Sequence, residues 1–224
     1  MTLPPVGHFR LTDTHRLIPS RYPPVGILDA VATPGDLELM LELEGWTNDR
    51  ISAELGVLRM IPPHQWVVGR PQATVIMAAF CHPRPGGSRF NDGDRGAWYA
   101  ALDLGTAHAE VIFHRSRELA EIGVLEARVE MRQYLADFIA DFHDVRGDDP
   151  AFASIHDPDR YGASQRLARE LLHAGSNGIL YRSVRRPGGK CLACFQPALV
   201  SRVRPGAHFE YRWDGGSMPA IRRL

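Results

Sequence analysis

From Leu125 to Arg132 apolar and charged residues alternate without interruption, Leu125, Ala127, Val129 and Met131 against Glu126, Arg128, Glu130 and Arg132. A period of two is the geometry of a β-strand with one face in a core and the other in water; an α-helix would scatter the same residues around its surface. The rest of the chain must therefore build a sheet around this strand and cover one side of it. Further strand candidates lie in the C-terminal third, where GILYRSV, CLACF, ALVSRVR and HFEYRW have β-type composition and a Pro-Gly-Gly turn at 187–189 joins the first two. Gln72 to Phe80 (QATVIMAAF), a short apolar run with β-branched residues and prolines on both sides, reads as a buried strand.

The helices are segregated from these strands. Thr106 stands as an N-cap before AHAEVIFHRSRELAEIG, which Gly123 can terminate, so Glu110 is expected near that helix's first turn. Tyr161 to Ala174 repeats apolar residues at Leu167, Ala168, Leu171 and Leu172 and stops at Gly175, the pattern of an amphipathic helix. Asp36 to Glu44 and Asp49 to Leu55 have helical composition, with Thr33 or Asp36 as cap, and residues 34–60 read as a helical insertion. HRLIPSRYPP is extended, because its prolines exclude helix. Strands before, between and after segregated helices, without a regular βαβ alternation, predict an α+β fold of mixed β-sheets with flanking helices. With 224 residues, 44% of them hydrophobic, residues 1–224 are expected to form a single domain around one core.

There is no apolar run of about 18 residues, and MTLPPVGHFRL lacks the charged and apolar regions of a signal peptide. Three cysteines, Cys81, Cys191 and Cys194, are too few for a disulfide framework. A cytoplasmic protein without a membrane role is expected. The 26 basic and 26 acidic residues cancel, which argues against direct nucleic acid binding as the main task. From Arg160 onward, however, twelve basic residues, all arginine except Lys190, face only Glu170, Glu210 and Asp214, a net of +9. Arginine's fork pairs bidentately with phosphate and carboxylate, so a phosphate-bearing ligand or an acidic partner protein would suit this third.

Several constellations could carry chemistry. Cys191 and Cys194 form a CxxC, but zinc needs four ligands and no second pair lies at a useful spacing. Both stand in an apparent strand where positions i and i+3 face opposite ways, so structural thiols are expected. Glu110 and His114 are four apart on a helix, with His108 and His82 as conceivable companions, yet HExxH is absent and no metal is expected. Ser183 lacks the GxSxG elbow of a hydrolase nucleophile and is read as a hydrogen-bonding strand serine. The loop GGSRFNDGDRG has glycines for close backbone approach and an arginine for a phosphate, without the Walker ending. These readings stop at a mixed α+β enzyme or binding domain.

The string GGSRFNDGDRGAWYAALDLGTAHAE resembles a signature of the RES-domain family, a Gly-Gly-Arg loop leading to a Tyr and then to an alanine-rich helix that carries a Glu. Those positions are Arg89, Tyr99 and Glu110. SNGILYRSVRRPGGKCLACF is similar to the second signature, a YxS strand followed by Arg and a Gly-Gly turn, with Ser183 as its serine. HRLIPSRYPP resembles the opening strand and assigns a further arginine to Arg16, with Arg21 as the other candidate. The resemblance covers residues 12–205; the segment between Arg16 and Arg89 is longer than in compact members, and Phe90 stands where many have Trp.

The resemblance implies a fold like that of ADP-ribosyltransferase toxins, NAD⁺ as substrate, and a toxin paired with an Xre-family DNA-binding antitoxin that blocks the active site. It implies cleavage of the nicotinamide–ribose bond by hydrolysis or phosphorolysis, or in some members transfer of ADP-ribose to a protein acceptor. Glu110 would then stabilise the developing charge on the ribose, Arg16 and Arg89 hold the pyrophosphate, Tyr99 stack on the nicotinamide or ribose, and Ser183 hydrogen-bond the ligand. The reading from another class is a noncatalytic interaction module docking through its basic C-terminal region, including Arg185 and Arg186.

Overall fold

The computed structural model describes residues 3–20, 27–30, 33, 35–36, 61–216 and 218–224. Its central element is β3 (Glu126–Asp144), which contains most of the alternating segment. Ala127 and Val129 turn inward against Ile112, Phe209, Tyr211 and Trp213, while Glu126, Arg128 and Glu130 remain in water. Leu125, expected on the core face, lies just before the strand and is 68% exposed.

Strand β1 (Val6–Pro19) runs antiparallel to β3, from Val6 opposite His143 to Pro19 opposite Met131. On β3's other side lies β6 (Ser201–Asp214), followed by β7 (Ala220–Arg223). Three short strands complete the sheet: β2 (Trp98–Ala101), β4 (Gly178–Arg182) and β5 (Lys190–Cys194). The order is β1-β2-β5-β4-β3-β6-β7, and β1 also pairs with β3. The pairings β1–β2, β2–β5, β5–β4, β4–β3 and β3–β1 thus return to their start, so five strands close on themselves and β6 and β7 extend from β3. The β3–β4 pairing is parallel, through His143 and Asp144 against Ile179 and Leu180. The sheet is therefore mixed, with helices packed against it, as the α+β reading requires. The segments ALVSRVR and HFEYRW, expected as two strands, merge into β6 after a 3-10 turn at Pro197–Leu199.

Four α-helices are described: α1 (Ile27–Ala30), α2 (Ala73–Cys81), α3 (Leu104–Glu121) and α4 (Gly162–His173). Helix α2 replaces the buried strand expected at Gln72–Phe80. Ala73, Ile76, Met77, Ala79, Phe80 and Cys81 are all buried, so the helix has no polar face to reveal a 3.6-residue period. It packs on Trp98, Phe138, Phe142, Leu180 and Leu192. Helix α4 matches expectation, burying Leu167, Ala168 and Leu171 and ending before Gly175, whose φ of 76° suits glycine.

Helix α3 starts earlier than expected. Its N-cap is Asp103, whose carboxylate accepts from the Thr106 N–H (2.9 Å) and the Thr106 hydroxyl (2.7 Å). Thr106 is thus the third helical residue, and Glu110 stands in the second turn rather than the first. Gly123 (φ 69°) ends the helix as expected. Of the expected insertion, the Thr33 hydroxyl accepts from the Asp36 N–H at 3.1 Å, in the manner of a cap; the helices at Asp36 to Glu44 and Asp49 to Leu55, like Arg21, lie otherwise outside the described residues. Among the described residues no helix is long and apolar enough to cross a membrane.

Candidate active site

The sheet brings α3 against the turn that leaves β4, and there Glu110 meets Ser183. The Ser183 hydroxyl donates to Glu110 Oε1 at 2.6 Å and accepts from the backbone N–H groups of Arg185 (3.1 Å) and Arg186 (3.2 Å). One donor and two acceptor positions are the whole capacity of a hydroxyl, so Ser183, which is buried, is fully engaged. Its proton points at the Glu110 carboxylate, a candidate base, but both acceptor positions of the hydroxyl oxygen are filled by backbone N–H groups, which withholds its lone pairs from attack. Glu110 keeps about a quarter of its side chain in solvent (26%), which leaves the carboxylate reachable.

The turn is cinched onto α3. Ser183 N–H donates to Gly189 O (2.8 Å), and Arg186 pairs with Asp103 and donates to the Thr106 hydroxyl at 3.0 Å. A Cβ on Gly189 would stand 2.6 Å from Thr106 Oγ1, so only glycine lets the turn lie this close to the helix. For Asp103, burial works to raise the carboxyl's pKa, but hydrogen bonds from Thr106 and the Arg186 cation outweigh it and the group titrates below its usual range.

Arg89, Tyr99 and Arg16 form a second group. Arg89 is buried; its Nη1 donates to the carbonyls of Ile155 (2.9 Å) and Asp157 (2.7 Å), and its guanidinium lies 4.7 Å from the centre of the Tyr161 ring. The Tyr99 hydroxyl accepts from Phe90 N–H (2.9 Å) and donates to Asn91 Oδ1 (2.8 Å), tying the glycine-rich loop to β2; burial pushes its pKa up. Arg16 donates from Nη1 to the Tyr99 carbonyl (3.0 Å) and lies over Trp98 at 4.8 Å; burial lowers it to about 10. Arg16 is one step removed from the rest, having no bond to Glu110 or Ser183 among the described residues.

Tyr181 joins the two groups. Burial, and after it the neighbouring Cys191, Glu110 and Tyr99, push its hydroxyl well above the usual value, while Arg89 opposes them. Of the five residues singled out in the sequence, Glu110 and Ser183 are in contact, Arg16 is bonded to Tyr99, and Arg89 is linked to the first pair through Tyr161 and Arg185. Asn91 of the glycine-rich loop holds the Tyr99 hydroxyl, and Tyr181, the tyrosine of the YxS signature, stands two residues before Ser183. Tyr161, beneath Arg89, was marked by no motif, and only its aromatic character signalled it.

Beside this region an open groove of about 1000 Å³ runs along the outer side of α3. Ala109, Phe113, Val184 and Arg185 form its near end, and Val124, Leu125, Trp213 and Met218 its far end. His114 stands 4.0 Å from Glu110 and is held at a pKa of about 4 by burial and then by Arg84, Arg185, Arg115 and Arg117. It is neutral at neutral pH and forms no ion pair with Glu110 there. No cluster of three or more metal-ligating side chains occurs among the described residues. Cys191 and Cys194 point to opposite faces of β5, into different parts of the core, and are buried free thiols.

The chain is 29% identical over 205 residues to protein y4oC of Sinorhizobium fredii, covering 90% of this chain and 83% of that one. Among solved structures, the M. tuberculosis MbcT-MbcA toxin-antitoxin complex aligns at 11% identity and a TM-score of 0.49, covering 91% of this chain and 86% of that one. A model of the RES domain matches residues 61–214, a span that includes Arg89, Tyr99, Glu110 and Ser183 and follows Arg16. The chain belongs to the RES domain family.

Proposed function

We propose that the protein cleaves the nicotinamide–ribose bond of NAD⁺ and serves as the toxin of a toxin-antitoxin pair, with an Xre-type antitoxin as its partner. The toxin role and the partner rest on the family resemblance. The chemistry is supported chiefly by one observation, a partly exposed carboxylate, Glu110, fixed by the Ser183 hydroxyl at 2.6 Å beside Arg185, which has no carboxylate partner among the described residues.

Breaking the bond sends its electron pair to the nicotinamide nitrogen and leaves positive charge on the ribose, an oxocarbenium-like state. A preorganised carboxylate stabilises that charge more than it stabilises the ground state, which is the condition for acceleration. Ser183 holds Glu110 in one orientation, so no rotamer entropy is lost when the charge develops. Water or phosphate then attacks the anomeric carbon, and no covalent step on Ser183 is needed. NAD⁺ carries the reacting bond itself and needs no metal in this scheme.

The test is nicotinamide release from NAD⁺ by the purified protein, with and without phosphate, beside Glu110→Gln. Release abolished by the substitution is expected. Absence of release under both conditions would leave ADP-ribose transfer to a protein acceptor, detectable as label on that protein, or the noncatalytic module.

A further inference from the structure

Three arginines around the site share an arrangement that sets them apart from most others in the chain. Arg16 lies over Trp98, Arg89 over Tyr161 and Arg185 over Phe113, with the Arg185 guanidinium carbon 3.2 Å from the ring centre. Among the described residues, each is hydrogen-bonded through its guanidinium only to neutral oxygens: Arg16 to the Tyr99 carbonyl, Arg89 to those of Ile155 and Asp157, Arg185 to the Pro158 carbonyl and, at 3.4 Å, to the Tyr161 hydroxyl. Their neighbours Arg84, Arg115, Arg117, Arg182 and Arg186 all pair with carboxylates. Stacking and carbonyl bonds orient a guanidinium without cancelling its charge, so an anion is the missing partner.

Arg16 and Arg89 belong to the expected set; Arg185 does not. Its backbone N–H rests on the Ser183 hydroxyl, so it is anchored two hydrogen bonds from Glu110, and its half-buried side chain lines the near end of the groove. It shares Tyr161 with Arg89, which uses the ring face while Arg185 reaches the hydroxyl. The two cations thus flank a single aromatic side chain.

We propose that Arg185 binds a phosphate oxygen of the dinucleotide, opposite Arg89 across Tyr161, with the ligand's phosphates entering from the groove. The proposal rests on the reading of Glu110 and Ser183 as an NAD⁺ site. The Pro158 carbonyl is a placeholder in this view: exchanging a neutral acceptor for a phosphate oxygen strengthens the hydrogen bond and neutralises the charge. Arg185 would then contribute to affinity and not to the chemical step.

The experiment measures ADP-ribose binding by calorimetry, together with KM and kcat for nicotinamide release from NAD⁺, for the wild type, Arg185→Met and Arg185→Lys. Arg185→Met is expected to weaken ADP-ribose binding and raise KM by about ten- to a hundredfold, with kcat within about twofold and an unchanged melting profile. Arg185→Lys keeps the charge without the planar fork and should fall between the two. Equal ADP-ribose affinity in wild type and both variants overturns the proposal while leaving the NAD⁺ reading intact. A fall in kcat without a change in KM also overturns it, because Arg185 would then act by positioning Ser183 and Glu110. Failure of the wild type to bind ADP-ribose overturns the NAD⁺ reading, and the role of Arg185 with it.

Discussion

If Ser183 works through Glu110, the two residues must fail together. Ser183→Ala removes the 2.6 Å donor from the Glu110 carboxylate and leaves the N–H groups of Arg185 and Arg186 without their acceptor. A hydrogen bond to a charged group is worth about 1.5–3 kcal/mol, so the rate of nicotinamide release should fall about ten- to a hundredfold if that energy is spent holding the carboxylate for the transition state. Glu110→Gln removes the charge itself and should cost about 10²–10³ in rate, the loss seen when a comparable preorganised group is deleted elsewhere. The double variant should be scarcely slower than Glu110→Gln alone, because Ser183 has no carboxylate left to orient. The coupling energy should therefore be nearly as large as the effect of Ser183→Ala by itself. Initial rates of nicotinamide release from saturating NAD⁺ across the four proteins, with urea midpoints to correct for stability, measure it. Additive losses, each substitution costing the same in either background, would refute a positioning role and make Ser183 an independent ligand contact.

Gly189→Ala should disturb the same pair from a distance: a Cβ 2.6 Å from Thr106 Oγ1 must push the turn off α3, lowering stability by about 1–3 kcal/mol in urea titration and reducing nicotinamide release. His114 makes the fold sensitive to acid. Its folded pKa of about 4 lies below the ordinary 6.5, so the unfolded chain takes up a proton that the folded one refuses, and this part of the stability is present above 6.5 and lost as pH falls towards 4. His114→Gln should flatten the dependence of the urea midpoint on pH across that window, and an unchanged slope would remove His114 as the cause. Burial pushes the Cys194 thiol up to about 12, and Cys81 and Cys191 are buried as well, so a disulfide reagent at pH 8 should modify none of the three in the folded protein and all of them in denaturant.

What could be read in the residues depended on whether the decisive interactions are local. The inward–outward alternation of β3 is a property of neighbouring residues and was legible, as was the single apolar stripe of α4. Helix α2 was not, because ATVIMAAFC offers no polar side to time the turn, and a buried helix and a buried strand then look alike over nine residues. Asp103 and Thr106 are both good cap residues, and only the helix itself decides between them; the carboxylate accepts from the residue three positions on, so the earlier one wins. The family resemblance singled out candidate residues, yet their interplay was hidden: Ser183 was expected to hydrogen-bond a ligand, and in the fold its hydroxyl bonds Glu110 and two backbone amides. Arg185 was visible in the YxS-Arg signature and as a docking residue of the basic C-terminal third, and what separates it from Arg186, the absence of a carboxylate partner among the described residues, shows only in the fold.

That distinction bears on where a protein of zero net charge keeps charge for an anion, as the proposed function requires. The chain's charges sum to zero, and most arginines of the basic third are tied to carboxylates, Arg182 to Asp148, Arg186 to Asp103 and Arg204 to Asp13 and Asp137 among them. Such pairs hold the chain together but leave little field for a ligand. Arg185 in this third, like Arg16 and Arg89 before it, sits instead against an aromatic ring, where the guanidinium is oriented by a face that carries no full charge. Net charge is therefore a poor guide here, and the pairing of each cation is a better one. Asp103 sharpens the contrast. By taking Arg186 it locks the turn to the start of α3, and that lock sets the distance between Ser183 and Glu110, while the adjacent Arg185 keeps its charge for the groove. Two successive arginines in one turn thus divide the work, one closing the scaffold and the other facing the site.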